Sequence, residues 1–251
     1  MKILPPRTRP PSTRVDRRHT PKPTSGRFGY RDYRACLRWE FGFTCAFCLL
    51  HESDLAYGAE GLGVTGIEHW IPVSAGGEVN KYGNCFYTCR LCNGSRADSP
   101  QVDGRGRRLL EPCSQVWADH FELGANSCLL PATGDMDAAY THEAYDLDDP
   151  RKRELRQARA ERLEKCLQIL REGPEILVAL VDRLQMEPHE KRSLLLRVAE
   201  QLRASIQSAL REVHRYAAIP KDADTSCRCS RTDHHLLPAW LTEQVLEIPI
   251  P

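Results

Sequence analysis

The sequence predicts an α+β chain: a small core of two strands and a helix, pinned by cysteines, with a mostly helical C-terminal region. Three observations predict it. Two Cys-x-x-Cys pairs, Cys45/Cys48 and Cys89/Cys92, are separated by 40 residues. The stretch from Val64 through the second pair reads strand, loop, strand, helix. Beyond Pro150, apolar residues recur at helical spacing as far as Ala218.

Residues 1–26 carry six prolines and seven Arg/Lys, too polar a mix to bury a core, and are expected to form a disordered basic arm. Residues 27–125 are expected to be the first folded domain. Tyr30, Tyr33, Leu37 and Phe41 share one helical face, and Gly42 ends that helix. Val64–Ile71 favours a strand, Pro72–Gly83 a loop, and Cys85–Thr88 a second short strand. A helix is expected from about Asn93 to just before Pro100. Ser114–Leu123 reads as a further helix, with Val116, Trp117, His120 and Phe121 on its apolar side. Residues 126–150, Gly- and Asp-rich with weak periodicity, read as a linker. In 151–218 three helices are expected: Arg151–Arg171, one opened by Gly173-Pro174, and a long one opened by Pro188. Residues 219–251 read as an irregular tail.

The chain has 35 basic and 34 acidic residues, for a net charge of +1. That average hides a split. Residues 1–40 hold eleven Lys/Arg against three Asp/Glu, a charge of +8, residues 41–150 carry −10, and residues 151–251 carry +3. A basic arm ahead of an acidic middle suits a protein that grips a polyanion with one part and a cation with another. A solvated tail explains the arm equally well. No stretch approaches the ~18 apolar residues of a membrane helix. Met1–Leu4 runs into prolines and arginines rather than the apolar core of a signal peptide. Membrane and secreted classes are disfavoured, and a cytoplasmic address is expected.

Eleven cysteines are many for a reducing compartment, where Cys-x-x-Cys spacing reads as metal binding or redox chemistry. A redox pair should open a helix after a strand, and two copies would be odd. Cys45, Cys48, Cys89 and Cys92 are therefore expected to hold one structural Zn²⁺, four thiolates being a tetrahedral donor set for zinc. Cys36, Cys85, Cys113, Cys128 and Cys166 read as core or surface thiols. Cys227, Cys229, His234 and His235 offer a second set of metal donors, but C-x-C and adjacent histidines fit one tetrahedral ion poorly.

The run Glu68-His69-x-x-Pro72-x-Ser74-x-Gly76-Gly77, then Asn84, then Cys89-x-x-Cys92-Asn93, resembles the HNH endonuclease family in its zinc-knuckled form. The resemblance spans about residues 45–98, and it implies a ββα-metal nuclease core that cuts DNA. It implies that His69 is the general base, that Glu68 and Asn93 hold a catalytic divalent ion, and that Asn84 braces the loop and orients His69. Arg96 takes the place of a phosphate-clamping basic residue, and Arg90 and Lys81 are further candidates for nucleic-acid contact. Glu68 stands where Asp is commoner, and Asn93 where His is. The neutral amide points to Mg²⁺ or Mn²⁺ rather than catalytic zinc.

The chemistry agrees. Phosphodiester hydrolysis needs an activated water and neutralised phosphoryl and leaving oxygens, which a near-neutral histidine and an oxygen-held divalent ion supply. Neighbouring strand residues face opposite ways, so the strand must distort or end at Glu68-His69. Two alternatives stand beside this reading. One is a zinc-stabilised nucleic-acid-binding module without catalysis. The other is a nuclease subunit switched on by a protein partner, in phage defence or mobile-element biology. Residues 151–218 would carry that partner or a homodimer contact. DNA is the expected polymer, and RNA is left open.

Overall fold

The structure, a computed structural model, describes residues 14–15, 17–22, 26, 29–58, 65–97 and 99–217, with 2–3, 229 and 246–247. The chain divides into two compact units. No helix among the described residues is long and apolar enough to cross a membrane.

The first unit comprises Thr8–Gln157 with Lys221–Leu236. A 3₁₀ turn at Gly29–Tyr33 leads into α1, Arg34–Glu40, shorter than the periodicity of Tyr30–Phe41 predicts. The first Cys-x-x-Cys knuckle follows, closed by a bridge between Thr44 and His51 and by Cys45 N–H donating to Leu50 O. The short helix α2, Glu52–Gly58, comes next. Strands β2, Thr65–His69, and β3, Cys85–Cys89, pair antiparallel from Thr65↔Cys89 to His69↔Cys85. Helix α3 spans Arg90–Arg96. It begins three residues earlier than the sequence suggests, because Cys89 Sγ accepts from Cys92 N–H at 3.4 Å and so caps it.

Downstream the structure departs from the sequence reading. Only Trp117–His120 is helical (α4), not Ser114–Leu123. Phe121–Leu123 (β4) instead pairs with Leu129–Pro131 (β5), so pairing overrides local helical propensity. Residues 126–150 are not a linker. They contain β5 and helix α5, Met136–Tyr145, whose Ala138, Tyr140, Ala144 and Tyr145 are buried in the main core. Tyr145 stacks on Phe47 with ring centroids 3.8 Å apart, and Leu110 N–H donates to Thr141 Oγ1. The core gathers Leu37, Phe41, Phe47, Phe86, Tyr87 and Trp117 around the hairpin.

Part of the expected arm is built in. Val15 and His19 are buried, Arg14 Nε donates to Cys113 O, and Arg17 donates to Cys85 O and Tyr82 O beside Glu40. Those contacts occupy Arg14 and Arg17, so neither is a free phosphate-tracking charge. Most of residues 1–13, which hold Arg7 and Arg9, lies outside the described residues, as does Arg27.

The second unit comprises Met1–Arg7, Ala158–Pro220 and Leu237–Pro251. Lys2–Ile3 (β1) pairs antiparallel with Leu246–Glu247 (β6). Helix α6 runs unbroken over Pro150–Met186, entering this unit at Ala158, and α7 spans His189–Ala217. Two helices thus replace the three expected. Gly173 does not end a helix. A Cβ there would lie 2.9 Å from Ile206 Cγ1, so the glycine serves the close approach of α6 and α7. Leu170, Cys166, Ala209 and Val213 form this unit's core, while Ile176, Val181, Leu194, Leu196 and Val198 remain exposed.

Candidate functional site

Cys45, Cys48, Cys89 and Cys92 are all buried, and their sulfurs lie within 4.8 Å of one another. Cys48 Sγ and Cys89 Sγ are 3.6 Å apart, about one edge of a sulfur tetrahedron on zinc. Four buried cysteines brought together in this way could hold a metal such as zinc. Electrostatics fit that donor set. Burial raises the Cys45 thiol, but hydrogen bonds from Cys48, Cys89 and Cys92 outweigh it and hold Cys45 well below the ordinary value. Cys89 is pushed up by its bonds with Cys45 and Cys48, and Cys92 by burial. Without a cation, the four cannot all ionise together.

Four thiolates on a divalent ion would leave two negative charges, and two buried cations stand nearby. Lys152 Nζ donates to the carbonyls of Tyr145 and Asp146. Its ammonium gives up hydration on burial, yet the field of the four cysteines more than restores it. Arg156 donates to Cys48 O, Ser127 O and Leu147 O. Sequence reading missed both, since nothing in a helical run of basic residues marks the two that face inward.

The motif residues lie on the hairpin and α3 beside this cluster. β2 keeps regular pairing through His69 and ends there. Alternation puts Gly66 and Glu68 on one face and Thr65, Ile67 and His69 on the other. A Cβ on Gly66 would lie 3.7 Å from Asn93 Nδ2, so exposed Asn93 reaches the face that carries Glu68. Glu68 is 6% exposed, and its Oε1 takes a hydrogen bond from Arg96 Nη1. Burial raises its carboxyl above the ordinary range, with Arg96 pulling it back down. Among the described residues no hydrogen bond reaches Glu68 Oε2.

His69 is half-buried on the opposite face. Its Nε2 lies 2.9 Å from Val79 O, and Tyr30 meets the ring edge-on at 4.7 Å between centroids. Asn84 is buried and ties the loop shut: Oδ1 accepts from Ile71 N–H at 2.7 Å, and Nδ2 donates to Ile71 O and Glu78 O. Gly76 turns that loop at φ 83°. A Cβ on Gly77 would stand 2.0 Å from Ile71 O. No sequence signal marks Val79, whose part is played by its main chain.

Arg96 requires a correction. It is 1% exposed and gives its guanidinium to Glu68, His69 O and Trp70 O. It is a buried brace, not a phosphate clamp. Lys81 is exposed and paired with Glu78 at 2.9 Å, and Arg90 is exposed at the start of α3.

Of Cys227, Cys229, His234 and His235, only Cys229 is among the described residues, and it bridges to Pro21. Its sulfur and the ligand atoms of Cys36 and His19 lie within 4.8 Å of one another. Cys36, expected as a core or surface thiol, is fully buried and belongs to this group. No family model matches this sequence, and no curated protein or solved structure matches it either.

Proposed function

We propose that the chain is a metal-dependent endonuclease that hydrolyses phosphodiester bonds of DNA, with His69 as general base. The observation that carries this reading is the contact between His69 Nε2 and Val79 O at the end of a strand whose other face bears Glu68 beside Asn93. A carbonyl only accepts, so the neutral ring keeps its proton on Nε2 and its lone pair on Nδ1. Nδ1 is then the atom that takes a proton from an attacking water. Arg96 fixes Glu68 through Oε1 and leaves Oε2 for a cation, with the Asn93 side-chain oxygen as a second hard donor. Mg²⁺ or Mn²⁺ bound there would neutralise charge on the phosphoryl and leaving oxygens.

Glu68 and His69 face opposite ways, yet both can serve one phosphate. Among the described residues β2 pairs with β3 alone, and it stops at His69. A phosphodiester lying across the end of the strand meets both faces there. Exposed Arg90 and Lys81 are the candidate contacts for neighbouring phosphates. Zn²⁺ on the four cysteines has a structural part, since a full set of protein ligands leaves no open position for chemistry. It would tie the first knuckle to β3 and α3.

A plasmid assay tests the reading. Supercoiled DNA should be nicked in Mg²⁺ or Mn²⁺ and stay intact in EDTA. Folded, zinc-loaded protein that binds DNA without cutting in any of these would support a binding module instead. The exposed apolar residues of α6 and α7 favour, as a second reading, a nuclease subunit that needs a protein partner. Cutting by the purified chain alone removes that second reading.

A further inference from the structure

We propose that His19, Cys36 and Cys229 hold a second zinc ion, separate from the four-cysteine cluster, which staples segments before and after the core onto α1. Their ligand atoms lie within 4.8 Å of one another. Cys36 Sγ is 3.4 Å from Cys229 Sγ, and Cys229 Sγ is 3.4 Å from His19 Nδ1. With ordinary Zn–S and Zn–N bonds, a tetrahedron has S···S edges of about 3.8 Å and S···N edges of about 3.6 Å. The observed spacings fall just inside those values, so small movements admit the ion.

The surroundings are built to hold these three groups. Cys36 is fully buried on α1 and His19 is 4% exposed. His19 N–H donates to Glu40 Oε1 at 2.7 Å, and Glu40 Oε2 takes the Tyr82 hydroxyl and pairs with Arg17. The bridge between Pro21 and Cys229 lays the Cys229 segment beside His19. Charge balance agrees as well. Two thiolates and a neutral imidazole supply three of the four donors of a tetrahedral zinc site and cancel the charge of the ion.

The donors also discriminate against hard cations. Two sulfurs and an imidazole select zinc over Mg²⁺ or Ca²⁺, which take oxygen ligands. A disulfide between Cys36 and Cys229 would need the sulfurs at about 2.05 Å, well inside the 3.4 Å that separates them. The staple has a physical purpose. The segment around His19 offers little apolar surface, and Cys36 and Cys229 are 193 positions apart, so a cross-link there closes a long loop.

The test is the zinc content of the purified full-length chain, with no activity measured. Two zinc ions per chain are expected in the wild type. One is expected in Cys229→Ser, in His19→Ala and in Cys36→Ser. Should Cys36→Ser fail to fold, Cys229→Ser, which lies outside every helix and named strand, still decides. One ion in the wild type, unchanged in the variants, overturns the proposal. So does two ions in Cys229→Ser, or a non-reduced wild-type mass lower by two hydrogens. The result is independent of whether the chain cuts DNA.

Discussion

His69 Nε2 and Val79 O stand 2.9 Å apart, so the imidazole is aimed by the loop after β2 and not by the strand that carries it. Asn84 closes that loop with three hydrogen bonds to Ile71 and Glu78. Asn84→Ala should therefore slow plasmid nicking by about 10–100-fold while the cysteine-bound zinc stays in place. It should also cost about 1–3 kcal/mol in a urea titration, since buried main-chain groups lose their partner. Unchanged nicking would mean the loop does not orient His69.

Arg96 and Glu68 form a buried ion pair, with side-chain exposures of 0% and 8%. Arg96→Met leaves Glu68 buried and unpaired, and should lower unfolding free energy by about 3–5 kcal/mol. Adding Glu68→Gln should recover part of that loss. A phosphate clamp would instead leave stability unchanged and reduce the salt slope of DNA affinity by about one. Denaturation and salt titration of Arg96→Met separate the two roles.

The paired glycines should behave differently. At Gly77 an added Cβ meets Ile71 O at 2.0 Å, whereas at Gly76 it meets nothing within 4 Å. Gly76→Ala should cost about 1 kcal/mol for its left-handed backbone. Gly77→Ala should cost more and disturb the loop around His69. Thermal melts of the two variants rank them.

Asp135 caps α5 by accepting from Ala138 N–H, and it also bonds to the His120 ring at 2.6 Å. Desolvation raises its carboxyl, but these bonds outweigh it and hold the group below the ordinary value. A depressed folded pKa means the contribution is present above the unfolded value of about 3.9 and is lost as pH falls through the folded one. Asp135→Ala should cost about 1 kcal/mol at neutral pH. The gap from wild type should shrink in acid below about pH 3.9. A gap that widens toward low pH would contradict the assignment.

The local pattern carried much of the fold. The hairpin β2–β3 was legible because β-favouring runs flank a loop marked by Pro72, Gly76 and Gly77. The knuckles were legible because a two-residue gap constrains both thiols. What escaped depended on distance along the chain. Residues 126–150 look polar, yet Tyr145 finds Phe47 and α5 becomes core. Gly173-Pro174 reads as the opening of a new helix, but α6 runs through it and the glycine's real constraint is Ile206 on the neighbouring helix. Arg96 carries the charge of a phosphate contact, and only the fold reveals that it faces inward to Glu68. His19 and Cys36 have no spacing signal linking them to Cys229.

The central claim is that His69 removes a proton from water at a scissile phosphate. Its most direct measurement is plasmid nicking by His69→Ala in Mn²⁺, beside zinc content and a melting curve for the same preparation. The expected result is wild-type zinc and melting with nicking abolished. A variant that retains zinc and fold yet nicks DNA at the wild-type rate would contradict it.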